Sequence, residues 1–482
     1  MEILCVAQRD GHVLSQPEDR LFYPQERGPF SSGCGMIVRT KIFEEIKKRK
    51  GIQKIFGNMS WLISGNIIQL GIGLMISILV ARYLGPEKYG ILSYALSVIG
   101  FLGTFTYLGL SGLVVRDIVC FPDEKDMLLG TTFFLKFLGG VFAFLVVIGL
   151  ALTTHDFGGI EFWVLLIMGL SLFAGPFEVI DLWFQSKVQS KYTVIASSTA
   201  IMAGAAIKVL IVLIGGSVVA IVAASSLQSI LTSIFLVYIY HYNGFSILKW
   251  KVQISTARQL LSRSWILILA GFFALVNFKV DQIMLRWMSG AAEVGIYSVA
   301  VMFSEIWYFM ASAIALSVFP RLIELRESDP SIYEKKLQQI FDVLFALSFS
   351  VALAMNFVAT PFIRFLYGEA YVRAAAILSI HVWAGIFMFM QQITNKFVLM
   401  ENILIFHLAN QGTAAIFNIF LNVFLIPKYG GLGAAVSTLI SYAASSYLFL
   451  FLYKKTRTLA VKISKSYIFP LRLIIYRANI WN

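Results

Sequence analysis

The sequence predicts an all-α integral membrane protein with about twelve transmembrane helices, arranged as two six-helix bundles related by a pseudo-two-fold axis along the membrane normal. Three observations predict this fold: apolar runs of membrane-spanning length, an alternation of Lys and Arg between successive loops, and a weak internal repeat. Of the 482 residues, 58% are hydrophobic and 13% charged, whereas an average soluble domain is about 25% charged.

The apolar runs define the helices, because a membrane helix needs about 20 mainly apolar residues. We place the helices, in chain order, at residues 60–81, 90–114, 129–152, 161–183, 193–214, 218–240, 264–285, 295–319, 338–360, 374–396, 404–426 and 432–453. The connections between them are short, so no separate soluble domain is expected.

These helices divide the chain into six segments. The first has no apolar region of the kind that a signal peptide needs, so we interpret it as disordered or as an extension that precedes the natural start at Met36. The segments are the polar extension 1–35, the basic N-terminal segment 36–59, the first bundle 60–240, a linker 241–263, the second bundle 264–453 and the basic tail 454–482.

The positions of Lys and Arg predict the orientation. The basic segment 36–59, the even-numbered loops and the tail hold 27 of these residues, and the odd-numbered loops hold 6. Since cytoplasmic loops of membrane proteins collect Lys and Arg, both termini are predicted to be cytoplasmic. The same positions explain the net charge of +13, so a nucleic-acid-binding function is not expected.

A weak repeat links helices one and seven. Residues 82–91 and 286–296 both read Arg, aromatic, aliphatic, Gly, an acid and then Gly-Ile, with one residue inserted in the second copy. The offset of six helices means that both halves enter the membrane in the same direction. This arrangement predicts a binding site at the seam between the halves.

Helix seven carries the densest polar group, since Asn277, Lys279, Asp281 and Gln282 all lie within the predicted span. An ionisable residue inside the membrane costs about 2.5–3.5 kcal/mol on insertion scales and by default indicates a functional site. One interpretation is a hydrated site in which Asp281 accepts a proton or cation and Lys279 contacts an anion. The other is a Lys–Asp pair or polar contacts that lock helix packing.

Four further charged residues stand out in the first bundle. Lys208 lies near the middle of helix five with no acid close by in that helix, which favours an anion-facing role over snorkelling. Lys136 lies nearer a helix end, where its side chain could equally reach the interface. Glu178 and Asp181, near the end of helix four, are expected to be interfacial anchors.

Polar stripes run along three other helices, each on one helical face. They predict a water-filled cavity shared by several helices, and the alternative is that they join neighbouring helices. The stripes are Asn66, Gln69, Gly73 and Ser77 in helix one, Ser298, Glu305, Tyr308 and Ser312 in helix eight, and His407, Gln411, Asn418 and Asn422 in helix eleven.

The sequence contains no Gly-rich phosphate loop, no His-Glu-x-x-His motif and no nucleophile elbow. We therefore expect a transporter and not an enzyme, with no catalytic residues, no resident metal and no cofactor. Without an ATP-binding domain, the energy for transport would come from an ion gradient or from the substrate gradient.

Several stretches resemble the Wzx-type polysaccharide flippases, which transport O-antigen repeat units and belong to the multidrug, oligosaccharidyl-lipid and polysaccharide exporter superfamily. Together they span about residues 55–453. The stretches are Asn58-Met59-Ser60-Trp61-Leu62, Ala81-Arg82-Tyr83-Leu84-Gly85-Pro86-Glu87-Lys88-Tyr89-Gly90, Asp281-Gln282-Ile283-Met284-Leu285, Glu293-Val294-Gly295-Ile296-Tyr297-Ser298 and Asn422-Val423-Phe424-Leu425-Ile426-Pro427-Lys428-Tyr429-Gly430-Gly431.

The resemblance implies a MATE-like fold with two bundles around a central cavity. It implies a flippase in the prokaryotic cytoplasmic (inner) membrane that moves an undecaprenyl-pyrophosphate-linked oligosaccharide for O-antigen, capsule or exopolysaccharide synthesis. Its partners would be that substrate, membrane lipids, a proton or sodium ion, a polysaccharide polymerase and chain-length proteins. The candidate residues are Lys208, Lys279, Asn277, Gln282, Asn418, Asn422 and Arg82 for the pyrophosphate and sugars, and Asp281 and Glu305 for ion coupling.

Two rival functions fit the sequence less well. A multidrug or toxin antiporter of the same superfamily should have a more acidic or apolar cavity, and two lysines inside predicted spans argue against it. A membrane polysaccharide polymerase or ligase usually needs a large outer loop with catalytic Arg or His, and the predicted outer loops are short.

Overall fold

The structure, a computed structural model, describes residues 49–154, 157–401, 403–469 and 472. The predictions for residues 1–35, for the beginning of the basic segment 36–59 and for the end of the tail therefore lie outside the described residues. Within them there is no β-strand, and the prediction of an all-α membrane protein is confirmed.

In the described part of the chain, twelve long helices are followed by a shorter thirteenth, and the short helices Thr104–Tyr107 and Ser111–Cys120 lie between the second and the third. In chain order the thirteen are α1 (49–84) and α2 (86–102), the two arms of the helix Arg49–Leu102, then α3 (Lys125–Leu152), α4 (Ile160–Ser186), α5 (Lys191–Leu213), α6 (Val218–Tyr242), α7 (Ile254–Ser289), α8 (Ala291–Ser328), α9 (Pro330–Tyr367), α10 (Arg373–Met400), α11 (Leu404–Tyr429), α12 (Gly431–Phe451) and α13 (Arg457–Tyr467). We call α1–α6 the N half and α7–α12 the C half.

The predicted number of spans is confirmed. In the described part of the chain, eleven helical stretches are long and apolar enough to cross a membrane, and the first, Ser60–Cys120, contains both α1 and α2. Several helices are longer than predicted: α9 has 38 residues, or about 57 Å at 1.5 Å per residue. Hydropathy marks only the part of a helix that lies in hydrocarbon, so it does not detect such extensions.

The chain reverses direction at Gly85. In a continuous helix Ser77 and Tyr89 would be about 18 Å apart along the axis, but their hydroxyl oxygens are 2.8 Å apart. Gly85 makes this turn with φ 71° and ψ 172°, a conformation that is open mainly to glycine. Gly290, between α7 and α8, has φ 90° and ψ 171°, so the sequence repeat has a conformational counterpart.

The two ends of the molecule differ in their connections. At one end, each of the six helix connections contains a glycine with positive φ, and we call it the glycine-turn end. These residues are Gly85, Gly158, Gly215, Gly290, Gly368 and Gly430. The opposite end carries most of the loop Lys and Arg residues, and we call it the basic end.

The halves touch through glycine near the glycine-turn end, where α2 crosses α8. A Cβ atom on Gly90 would lie 1.7 Å from the carbonyl oxygen of Ala291, and one on Gly295 would lie 2.0 Å from that of Pro86. Gly90 and Gly295 are counterparts in the repeat, and so are Pro86 and Ala291. Reciprocal contacts between counterparts are what a two-fold axis requires, so the axis passes between the two glycines.

Helix α4 is broken in the middle, and α6 compensates for the break. Two 3₁₀ turns, Leu170–Phe173 and Gly175–Glu178, interrupt α4. Ser226 of α6 donates to the carbonyl oxygen of Ile167 at 2.7 Å, and Ser233 donates to that of Ala174 at 3.0 Å. Because hydrocarbon offers no hydrogen bonds to a freed carbonyl, these contacts make the break tolerable.

At the basic end of the C half, α13 packs on α9, and α9 begins with an N-cap at Asp329. Lys462 of α13 pairs with Glu334 of α9 at 2.6 Å, and Arg472 pairs with Asp342 at 2.7 Å. Asp329 accepts hydrogen bonds from the backbone N–H groups of Ser331 and Ile332, both at 3.0 Å, and the bond from Ile332 in particular lowers the pKa of this carboxyl group.

We predict that Gly90→Ala lowers the thermal stability of the purified protein, because the new methyl group would force the α2 and α8 backbones apart. Overpacking of this kind costs about 1–3 kcal/mol. Gly73→Ala is the matched control, since no atom lies within 4 Å of the Cβ position of Gly73 and Ala favours a helix by up to about 1 kcal/mol. Melting curves that fall equally for both variants would contradict the contact.

Candidate functional site

Helix α7 is shared by the two halves. At the basic end its side chains pack on the N half, where the ring centroids of Phe272 and Phe101 lie 5.1 Å apart and a Cβ atom on Gly109 would lie 3.1 Å from Cβ of Leu267. Further along, Asn277 and Asp281 project into the C half. The polar residues singled out on this helix therefore serve different neighbours.

Asp281 is the centre of a buried network in the C half and is 3% exposed. Its carboxylate accepts a hydrogen bond from Tyr297 at 2.8 Å, one from the side-chain amide of Asn422 at 2.6 Å, and one from the hydroxyl group of Thr438. Asn422 also donates to Asn418 at 3.1 Å. Four helices, α7, α8, α11 and α12, thus meet at one carboxylate.

Several polar atoms near this network have no hydrogen-bond partner among the described residues. They include Oδ1 of Asn277, Nδ2 of Asn418 and Oδ1 of Asn422, and all three residues are buried. Unsatisfied buried polar atoms are uncommon in native proteins. The Asp281 network therefore has spare oxygen and nitrogen atoms with which a further polar species could interact.

Lys279 lies on another face of α7, against α2. Its side chain is half-buried. The nearest residue of α2 shown to approach it is Gly100, whose Cβ position would lie 3.9 Å from the Cε atom of Lys279 and which has no side chain to pair with it. Glu305 ends the first part of α8, just before the break at Ile306 and Trp307. It lies within electrostatic range of both Lys279 and Asp281.

The two lysines of the N half have different partners. Lys208 donates to Oε1 of Gln228 on α6 at 3.1 Å, which leaves its positive charge uncompensated by that contact. Lys136 is fully buried and donates to Oε2 of Glu178 at 2.8 Å. Of the two alternatives left open for Lys136, the reach to the interface is not what the structure shows, because a carboxylate on the neighbouring helix pairs with it in place.

Towards the glycine-turn end, α7 joins the N half through polar contacts. Arg286 forms an ion pair with Glu161 of α4, with its Nε atom 3.1 Å from Oε1 and a second contact through its terminal nitrogen. Gln282, one turn earlier, accepts a hydrogen bond from Ser97 of α2. Together with the glycine crossing, these contacts seal the seam at this end, and we call them the seal.

The other predicted site residues are distributed as follows. Arg82 is exposed at the glycine-turn end, three residues before Gly85. It lies on α1, apart in sequence from the polar residues of α7, Asn277, Lys279, Asp281 and Gln282, which we call the α7 group. On α1, Asn66 is exposed and Gln69 donates to Ser197 of α5 at 2.8 Å. Gln69 therefore joins two helices, as one of the two interpretations of this stripe expects.

Sequence reasoning missed three important residues, namely Glu161, Tyr297 and Thr438. Glu161 stands at the first turn of α4 and looks like an interfacial acid. Tyr297 is one of 20 tyrosines, and Thr438 has no charged neighbour in sequence. One signal was available for Glu161: it is three, four and seven residues before Val164, Leu165 and Met168, which are buried on one face of α4. This spacing does not identify its partner, Arg286.

The arrangement combines two chemistries. Lys208 and Lys279 have no carboxylate within 4 Å among the described residues, so both can attract an anion. Asp281 and the oxygen atoms of Asn418, Asn422 and Thr438 are ligands suited to a proton or a hard cation. In the described part of the chain, no three His, Cys, Asp or Glu residues form a metal-binding group.

Two solved structures are similar to this chain. The lipid II flippase MurJ, in an inward closed conformation, has a TM-score of 0.65 at 16% identity, covering 87% of this chain and 93% of MurJ. A multidrug resistance MATE transporter of the MOP superfamily, in an inward-facing conformation, has a TM-score of 0.63 at 14% identity, covering 82% of this chain and 95% of that one. These likenesses confirm the MATE-like fold.

Among relatives in sequence, the probable flippase AglR of Haloferax volcanii is 29% identical over 178 residues, which is 35% of this chain. The match spans 36% of AglR, so about a third of the relative's length is matched. The sequence model of the family described as "Polysaccharide biosynthesis protein" matches residues 55–326, more than half of the 482 residues. The chain therefore belongs to the polysaccharide biosynthesis protein family.

Proposed function

We propose that this protein is a flippase that moves a lipid-linked oligosaccharide across the membrane by alternating access. The proposal rests on one observation above all: each half carries a lysine inside the membrane, Lys208 and Lys279, with no carboxylate within 4 Å among the described residues. An intramembrane lysine that forms no direct ion pair favours a charged substrate. The family and the similarity to AglR and MurJ support the same function.

The substrate that suits these lysines is an undecaprenyl-pyrophosphate-linked oligosaccharide. The pyrophosphate charge cannot enter hydrocarbon bare, because its desolvation would cost tens of kcal/mol. In this proposal Lys208 and Lys279 contact the pyrophosphate, Asn277, Asn418, Asn422 and Gln282 replace water around the sugars, and the lipid tail stays among the helices in the bilayer. Arg82, exposed at the glycine-turn end, would meet the substrate as it leaves.

Asp281 is our candidate for ion coupling, with Glu305 as a second. The carboxylate is surrounded by hydroxyl and amide groups, and no lysine among the described residues donates to it. Such an environment can hold a proton on the carboxylate or replace it by sodium. Because α7 contacts both halves, a change of charge at Asp281 would act on the helix that also forms the seal.

The basic end would face the cytoplasm of a prokaryotic cell, according to the distribution of Lys and Arg. The seal would then close the outer side, which suits the inward conformations of the similar structures. A polysaccharide polymerase and chain-length proteins would receive the product. A multidrug antiporter shares the fold, but the two lysines would repel cationic drugs.

We predict that Lys208→Gln and Lys279→Gln each lower transport by roughly tenfold to hundredfold, since a hydrogen bond to a charged group contributes about 1.5–3 kcal/mol. The measurement is translocation of a lipid-pyrophosphate oligosaccharide in proteoliposomes. Lys428→Gln removes the same charge from an exposed position and should leave the rate unchanged. Unchanged rates for both intramembrane variants would sink the anion-binding role.

We predict that Asp281→Asn removes the response of transport to an imposed ion gradient, because the amide can neither take up a proton nor carry the charge that attracts sodium. Sodium and pH gradients are imposed separately on proteoliposomes. The gradient that stimulates transport by the unchanged protein but not by Asp281→Asn identifies the coupling ion. Glu369→Gln, at an exposed carboxylate, is the control. If Asp281→Asn still responds to the gradient as the unchanged protein does, the coupling site lies elsewhere.

We predict that Glu161→Gln opens the seal, because Arg286 loses its charged partner on α4. A cysteine at Gly100, introduced after replacement of the three native cysteines, should then react faster with a membrane-impermeant thiol reagent added from the glycine-turn side. The exchange Glu161→Arg with Arg286→Glu should slow the reaction again. An equal rate in all three proteins would contradict the role of this ion pair.

A further inference from the structure

An apolar groove lies between α4 and α6 of the N half. Its volume is about 580 Å³, within the range of about 300–1,000 Å³ that is usual for ligand sites. Two side chains of α4, Phe173 and Phe177, form one wall, and Ile230, Ile234 and Val237 of α6 form the other. The α4 wall of the groove lies in the two 3₁₀ turns that interrupt this helix, Leu170–Phe173 and Gly175–Glu178.

The groove ends at Ile247, at the start of the segment that connects α6 to α7. This segment is fixed to the N half. The backbone N–H of Lys251 donates to the carbonyl oxygen of Asp126 at 3.0 Å, and that of Gln253 donates to the hydroxyl group of Thr131 at 3.1 Å. The ring of Trp250 packs on Phe133 with centroids 5.5 Å apart.

The fixed segment exposes an unusual surface. Leu248 is 90% exposed and Ile254 is 82% exposed, although their backbone is held in place. Lys249 and Lys251 lie between them and are also exposed, and residues 241–263 contain no Asp or Glu. Exposed apolar side chains next to basic ones are typical of a surface that enters the headgroup region of an anionic membrane.

We propose that the groove and this segment together bind one anionic phospholipid of the bilayer. A hydrocarbon chain lies in the groove between α4 and α6, and the phosphate group lies at Lys249 and Lys251. The chemical match is twofold, because the walls of the groove are mostly apolar and the segment at Ile247 carries two exposed lysines and no Asp or Glu of its own. None of the residues that line the groove belongs to the α7 group, so this site is separate from the one proposed for transport.

The test measures bound lipid and not transport. Native mass spectrometry of the purified protein, titrated with phosphatidylglycerol or phosphatidylcholine, should give one site with a clear preference for phosphatidylglycerol. Replacing both lysines, Lys249→Gln with Lys251→Gln, should lower the affinity for phosphatidylglycerol by about thirtyfold and leave the affinity for phosphatidylcholine unchanged. Ile234→Trp should block the groove and abolish the site for both lipids.

Two matched controls accompany these variants. Lys454→Gln with Lys455→Gln removes two exposed charges elsewhere at the basic end, and Ile416→Trp enlarges an exposed isoleucine on α11. Both should bind lipid like the unchanged protein. Equal affinity for the two lipids, retention of the site in Ile234→Trp, or capture of a polyprenyl-linked lipid in place of the phospholipid would overturn the proposal.

Discussion

Two glycines allow α2 and α8 to cross backbone against backbone, and the relation between the halves depends on this contact. Gly90 and Gly295 each face a carbonyl oxygen of the other half at a distance that no Cβ atom tolerates. Because they are counterparts in the repeat, the close approach lies on the pseudo-two-fold axis. The seal on α7, with Arg286 at Glu161 and its neighbours, is formed beside this crossing and depends on it.

Helix α7 connects the crossing to the candidate site. Its polar residues contact different halves: Asp281 accepts hydrogen bonds from the C half, and Lys279 lies against α2 of the N half. A movement of one half relative to the other must therefore change the surroundings of at least one of these charges. The proposed coupling of an ion at Asp281 to an anionic substrate would have this physical basis, since both would act on one helix.

The sequence predicted the residues of the C-half site better than their partners. Asp281, Asn418 and Asn422 come from helices far apart in sequence, and the structure brings them to one network. Tyr297 and Thr438 complete it, but a hydroxyl group in an apolar helix carries no signal of its own. Lys136 is buried and pairs with a half-buried Glu178 on the neighbouring helix, a partner that the sequence of helix three alone does not contain.

By itself, the sequence determined the class of protein, the approximate number of helices, the parallel arrangement of the two halves and which end of the molecule carries most of the Lys and Arg residues. These follow from the transfer of side chains between water and hydrocarbon and from loop charge, which are properties of each segment alone. The tertiary structure decided which polar groups are paired, where the halves touch and where α4 breaks. Those outcomes depend on the distance between atoms of different helices, such as Ala291 and the Cβ position of Gly90, and no single segment contains that information.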